Sequence, residues 1–279
     1  MKRITILLLF AVAFGTSQDT TAIDTTWQKH ATGSLSFSQA HFDNWTTGGE
    51  NTLAHQFGLS GKLKYNGDKY TWINTCKIAF GNSKIGEAEA IKTIDELRIE
   101  STIKYLWDFI ADPYLSFKSE TQLATGYTYN ENSKVQISRF LDPGYFTQSA
   151  GLQYSPIEEL SVRFGAAVKE TITKDFPTPY ADDPDTEKIE TTKIEPGIES
   201  VLTFSKKIGE NAAINSTLDL FNNFVSFDAT DVRWDTEVIT KITKYINVKL
   251  NIQLFYDKDI SIKRQLNQSL LLGISYTLQ

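Results

Sequence analysis

Glu96, Arg98 and Glu100 repeat at a spacing of two. On an extended strand that spacing puts all three on one face. Such a row of alternating charge does one of two things in an enclosed space. It lines a charged passage, or it pairs with charges on the facing wall and plugs it. Lys62, Lys64, Lys77, Lys104 and Lys118 take the same face parity on neighbouring segments, as does Glu120. Glu195, Glu199, Asp235 and Glu237 take it on later ones. Glu96, Arg98, Glu100, Lys104, Lys118 and Glu120 are therefore the candidate pore-lining residues, and the spacing fits lining and plug alike.

Other constellations offer less. The run Thr46–Asn51, TTGGEN, has paired glycines but no Gly-Lys-Ser/Thr opening a helix and no strand–helix–strand unit, so it is no phosphate cradle. A nucleophilic site needs a histidine oriented by a third group. The three histidines are His30, His41 and His55, and only His41, beside Asp43 and Asn44, is a credible base. A polar residue at a strand end explains it as well, and no catalytic residue is expected. Asp182, Asp183, Asp185 and Glu187 crowd a loop whose order differs from an EF-hand and whose Pro177, Pro179 and Pro184 suit an exposed connection. Neither metal nor cofactor is expected. Cys76, the single cysteine, has the parity of an apolar face and excludes an internal disulfide framework.

The elements that must position these residues have a period of two. From Leu53 to Tyr65, Leu53, Phe57, Leu59, Leu63 and Tyr65 share a face against Gln56, Ser60, Lys62 and Lys64. The pattern recurs along the chain. Leu97, Ile99, Ile103, Tyr105 and Trp107 share a face, as do Val248, Leu250, Ile252, Leu254 and Tyr256, and Leu270, Leu272, Ile274, Tyr276 and Leu278. Leu115, Phe117, Leu123 and Tyr127 are placed together on a fifth strand. About twelve strands result. They are longer than soluble strands, and their connections alternate between long (43–50, 81–90, 128–144, 175–190, 223–231, 257–264) and short. Aromatics close the apolar faces at both ends: Tyr65, Trp107, Tyr154, Phe204 and Tyr276 near the short turns, Phe80, Tyr127, Trp234 and Tyr256 near the long loops. This predicts an all-β, transmembrane up-and-down antiparallel β-barrel of about twelve strands over residues 31–279.

The N-terminus supports export. Lys2 and Arg3 precede an apolar stretch, Ile4–Phe14, and small residues at Gly15–Ser17, a signal peptide over 1–17. Residues 18–30 would then be a periplasmic tail, with both termini periplasmic. The net formal charge is -6, and losing Lys2 and Arg3 makes it more acidic, which excludes a nucleic-acid partner.

The runs FSQAHFDNWTTGGENTLA (37–54) and LKYNGDKYTWINT (63–75), together with the leader, resemble a family of Bacteroidota outer-membrane proteins known only as a domain of unknown function. The most specific mark is Asn44-Trp45-x-x-Gly48-Gly49-x-Asn51. The resemblance implies an outer-membrane barrel and brings no activity and no catalytic residue. Asp19-Thr20-Thr21 and Asp24-Thr25-Thr26 resemble O-glycosylation acceptors of the same bacteria. The motif loop is expected to be structured, with Gly48 and Gly49 turning the chain into the first hairpin.

Three functions fit: a narrow pore or solute channel first, a structural or accessory subunit of an outer-membrane complex close behind, and a lipid-modifying enzyme using His41 last. Expected partners are outer-membrane lipids and lipopolysaccharide, the barrel-assembly machinery during insertion, and an outer-membrane protein.

Overall fold

Alternation turns directly into strands in the computed structural model, which describes residues 26–43, 46–130, 133–225 and 230–278. The leader, most of the proposed tail, and Asn44 and Trp45 of the motif lie outside the described residues. Strands β1 (Trp27–Ala40), β2 (Thr52–Asn66), β3 (Tyr70–Ile85), β4 (Ile91–Tyr105) and β5 (Asp112–Thr121) are followed by a hairpin, β6 (Gly126–Asn130) and β7 (Ser133–Ser138). The wall resumes with β8 (Gly144–Ile157), β9 (Leu160–Ile172), β10 (Thr192–Ile208), β11 (Ala212–Asn223), β12 (Thr230–Lys241), β13 (Ile246–Asp257) and β14 (Ser261–Leu278). Twelve of these form a closed antiparallel barrel in which each strand pairs with its wall neighbours and β1 pairs with β14; β6 and β7 form a separate two-stranded sheet.

Register sorts the side chains. Ser60 pairs Lys77, Lys77 pairs Arg98 and Arg98 pairs Glu120, so a polar row runs around one face of four strands and is charged on three of them. That face is the lumen. Gly61, Cys76 and Ile99 form the row beside it, so Cys76 points outward, half-buried among apolar neighbours. The outward face leaves Phe57, Ile99, Leu115, Phe164 and Leu270 between 46% and 65% exposed, which inverts the arrangement of a protein folded around an apolar core. Near the short turns, Trp27 lies 5.0 Å from Tyr65 and 6.3 Å from Trp72, and Tyr65 stacks on Tyr70 at 5.2 Å, forming an aromatic belt.

Several boundaries differ from expectation. β1 begins at Trp27, so the last residues assigned to the tail, His30 among them, belong to the wall. The connection expected over 81–90 shrinks to 86–90, and that over 257–264 to 258–260, because β3 and β14 run on beyond the apolar band. Polar solvent on both sides of a strand end selects no alternation, so periodicity could not report those residues. β5 stops at Thr121. Leu123 therefore lies in a connection, and Tyr127 lies in the β6–β7 hairpin under the Lys134 ammonium, 4.6 Å from its ring centroid, rather than in an outer belt.

The motif loop is structured where it is described. Gly48 and Gly49 hold φ of 86° and 145°, values that favour glycine. The Phe42 amide donates to Asn51 Oδ1 at 2.7 Å, and the Gly86 amide donates to the Asn51 carbonyl at 2.7 Å, so Asn51 ties the loop to the β3–β4 turn. A Cβ on Gly49 would stand 2.9 Å from the Phe42 ring. Gly48→Val with Gly49→Val should therefore destabilise the first hairpin by about 1–2 kcal/mol per residue. Urea titration of the barrel in detergent micelles measures this, and an unchanged midpoint would remove the loop's structural role.

Candidate functional site

Six lumenal charges meet at mid-height. Arg98 on β4 contacts Glu120 Oε1 through Nε at 2.7 Å, and its Nη2 lies 3.2 Å from both Glu96 Oε1 and Asp235 Oδ2. Arg233 on β12 contacts Glu96 Oε1 at 2.6 Å, Glu120 Oε2 at 3.2 Å and Asp235 Oδ2 at 2.9 Å. Lys77 reaches Glu96 Oε2 at 2.9 Å. Three cations thus balance three anions. β4 and β12 are diametrically opposite in the strand order, so the bonds from Arg98 to Asp235 and from Arg233 to Glu96 cross the lumen. This layer is a septum. Glu96 is only 8% exposed, and a carboxylate so enclosed stays charged only because cations surround it.

Smaller clusters extend the septum along the wall. Arg163 on β9 contacts Glu100 at 2.5 Å and donates to Thr102 Oγ1 at 2.9 Å. Lys118 contacts Glu199 at 2.9 Å and also Asp219. Lys169 contacts Asp231 at 2.6 Å and Asp257 at 3.4 Å. Lys104, nearer the short turns, pairs with Asp112 at 2.9 Å. Of the six candidate lining residues, the structure gathers Glu96, Arg98 and Glu120 in the septum, puts Glu100 and Lys118 in adjoining clusters, and leaves Lys104 apart. Face parity in the sequence did not single out Arg233, Asp219, Asp231 and Asp257. Arg233 precedes Asp235 and Glu237 at a spacing of two, and that signal was present. Asp231 and Asp257 sit at strand ends, where alternation has faded.

Cavities flank the septum. On the short-turn side a space of about 380 Å³ is lined by residues including Ser34, Gln56, Lys77, Thr217 and Asn251. On the long-loop side a space of about 470 Å³ is lined by Tyr145, Tyr180, Lys169, Phe221, Phe255 and Asp257 among others. Tyr180 comes from the connection over residues 173–191. That loop is held by Asp142, whose buried carboxylate accepts the Lys174 amide at 2.8 Å and the Asp175 amide at 3.0 Å, with Arg139 Nε at 3.4 Å. Burial alone would push the Asp142 carboxyl up, but those backbone donors and Arg139 outweigh it and hold its pKa below the ordinary value.

The remaining candidates disperse. His41 is exposed at the end of β1. Asp182 accepts from Thr178 Oγ1 at 2.9 Å and from the Glu190 amide at 3.2 Å, and Asp183 Oδ1 accepts the Asp185 amide at 3.0 Å. These carboxylates shape their own loop instead of converging on a point.

Residues 37–127 match the model of a family described as a protein of unknown function (DUF3078). No curated protein matches the chain. Among solved structures, the translocator domain of the autotransporter NalP from Neisseria meningitidis is similar at 11% identity with a TM-score of 0.42, covering 90% of this chain and 88% of that one. An outer-membrane channel from Pseudomonas putida F1 is similar at 11% identity and a TM-score of 0.40, over 93% and 99% of the two chains. The channel DcaP of Acinetobacter baumannii gives 8% and 0.34, over 91% and 98%. The barrel assignment itself rests on the closed ladder.

Two outcomes follow. Arg98→Ala leaves Glu96 and Glu120 short of a cation inside the lumen and should cost about 3–5 kcal/mol, and adding Glu120→Ala should restore part of that. Chemical denaturation of these two variants and of Glu120→Ala alone, against the parent, tests it, and a double-variant loss equal to the sum of the two single losses would mean that the charges do not couple. Asp142→Asn should release the 173–191 loop, exposing the Lys174 and Asp175 amides to hydrogen exchange about 10- to 150-fold faster, as loss of a charged acceptor worth about 1.5–3 kcal/mol requires. Because the folded pKa is depressed, the wild-type clamp contributes fully above the ordinary carboxylate range, near pH 4, and is lost only as pH falls through the lowered value. Loss of protection of these amides, relative to their intrinsic exchange rate, already at neutral pH would contradict it.

Proposed function

We propose that this chain is an integral outer-membrane β-barrel whose lumen is a narrow solute channel gated by a septum of ion pairs. The closed ladder, the exposed apolar outer face and the aromatic belt support lipid as its surroundings, since a spanning sheet must satisfy every backbone group internally. The observation that carries the channel reading is the pair of cavities facing each other across one layer of side chains. The side chains of Arg98 and Arg233 occupy that layer, and their rotation is the motion that would join the cavities. Charge balance within the septum lets it open without stranding a net charge. Outer-membrane lipid and lipopolysaccharide then contact the outward face, and His41 has no catalytic part.

The septum also favours a second reading. Bonds between opposite walls brace the barrel, which suits a structural or accessory subunit that conducts nothing.

Conductance in planar bilayers separates the two. The parent should show small, infrequent openings. Arg98→Ala with Glu120→Ala keeps the septum balanced while removing its bulk, and should raise single-channel conductance several-fold. If both proteins are folded and silent, the channel reading fails and the bracing role stands.

A further inference from the structure

The seam that closes the barrel is shorter than the other wall ladders. β1 pairs β14 only from Ala31↔Leu278 to Phe37↔Leu272, whereas β1 pairs β2 from Trp27↔Tyr65 to Ala40↔Thr52. Above Leu272, β14 continues as a strand to Ser261, bonded to β13 on one edge. Its other edge, Ser261–Leu271, has no ladder partner among the described residues. The register would set Ser38–Gly48 against that stretch. Instead β1 ends at Ala40, and Phe42, Gly49 and Asn51 pin the following loop to the β3–β4 turn.

The chain's own sequence explains why it does not complete the wall. Gln39 already faces outward within β1, and extending the strand in register would add His41 and Asp43 to that face, level with Gln268 and the outward Leu266. A second interruption shows what a sealed gap looks like. Where β5 leaves the ladder at Thr121, Asp95 accepts the Leu123 and Ala124 amides at 2.7 and 3.0 Å, and Lys92 donates to the Ala124 carbonyl at 3.1 Å. Beside β14 the Lys263 amide is capped by Ser261 Oγ at 3.2 Å, and no further patch of this kind is found along Arg264–Leu271 among the described residues. Both faces are open from Lys263 to Asn267: the lumenal side chains of Lys263, Gln265 and Asn267 are exposed, while Gln253 and Phe255 on β13 beside them are half-buried, and towards the seam Ser269 is half-buried and Leu271 buried. Asn267 Nδ2 donates to the Thr93 carbonyl on β4 at 3.2 Å, so this stretch faces the outer end of the lumen.

The gap leads into the outer cavity. Gln265 lines the 470 Å³ space, and Gln265, Leu266 and Asn267 line a neighbouring space of about 350 Å³. Inside, Tyr145, Tyr180 and Phe255 provide aromatic walls, and four carboxylates, Glu199, Asp219, Asp231 and Asp257, share two ammonium groups, Lys118 and Lys169. An aromatic space with surplus negative charge suits a cation attached to an apolar body. We propose that the interrupted β1–β14 seam is a lateral portal through which an amphipathic small molecule with a cationic head passes between the outer cavity and the surrounding lipid. The portal rests on the membrane-barrel reading and not on opening of the septum.

Single cysteines in a Cys76→Ser background, labelled with bimane in phosphatidylcholine vesicles containing doxyl-lipid quencher, test this. Leu266→Cys faces outward and reports that the barrel is embedded. Thr217→Cys faces the opposite cavity and reports a closed wall. Gln265→Cys should be quenched about as strongly as the outward site, and dodecyltrimethylammonium should shift its emission at a concentration about tenfold below that needed with dodecyl sulfate. Asp231→Asn with Asp257→Asn should abolish that preference. If Leu266→Cys is quenched while Gln265→Cys behaves like Thr217→Cys, the portal is wrong and the membrane barrel survives. If Leu266→Cys escapes quenching, both fail. Equal response to the two surfactants removes the cationic specificity.

Discussion

A strand edge exposes a row of amides and carbonyls, and hydrocarbon offers them nothing to bond. Closing the sheet on itself is the physical answer, and the ladder between β1 and β14 is where this chain closes. Much else follows from it. Closure makes an inside. An inside lined by alternating residues receives every polar side chain that the outer face rejects. Those side chains include more charges than a narrow lumen can hydrate separately, so they pair.

Pairing explains why the lumen is divided. Arg98 and Arg233 each serve more than one carboxylate, and each carboxylate of the septum serves more than one cation. Guanidinium groups suit this role because their planar fork donates in several directions at once. The result spans the barrel from β4 to β12 and, among the described residues, is made of side chains. A plug made of side chains is small, balanced and rebuilt by rotation alone. Bracing and gating are therefore two uses of the same bonds, distinguished by how often the bonds break.

The long-loop end shows how irregular backbone is handled. Where β5 leaves the wall, side chains do the work of the missing ladder: Asp95 takes two amides, and Thr121 Oγ1 accepts the Leu141 amide at 2.9 Å and donates to the Pro143 carbonyl at 3.0 Å. Asp142 performs the same service for the 173–191 loop. Each is an acidic or hydroxyl side chain placed where backbone donors lose their strand partners. Among the described residues, the Ser261–Leu271 edge of β14 shows this habit only at the Lys263 amide, which Ser261 Oγ caps.

The sequence by itself determined the class of fold, the inward or outward sense of most side chains, and the row Glu96, Arg98 and Glu100. All of these depend on parity along a strand, which is a local property. It failed at Asn82–Ile85, at Ser261–Arg264 and at Leu123, where both faces of the chain meet water or the strand ends, and no alternation is selected. Tertiary structure alone decided which charges meet. Arg98 and Asp235 are far apart in the chain, and parity says only that both face inward. Whether they touch depends on which strands stand opposite and at what stagger, a sum of register choices over the whole ring. The length of the closing seam is a decision of the same kind, since it depends on where β1 stops relative to a strand at the other end of the chain.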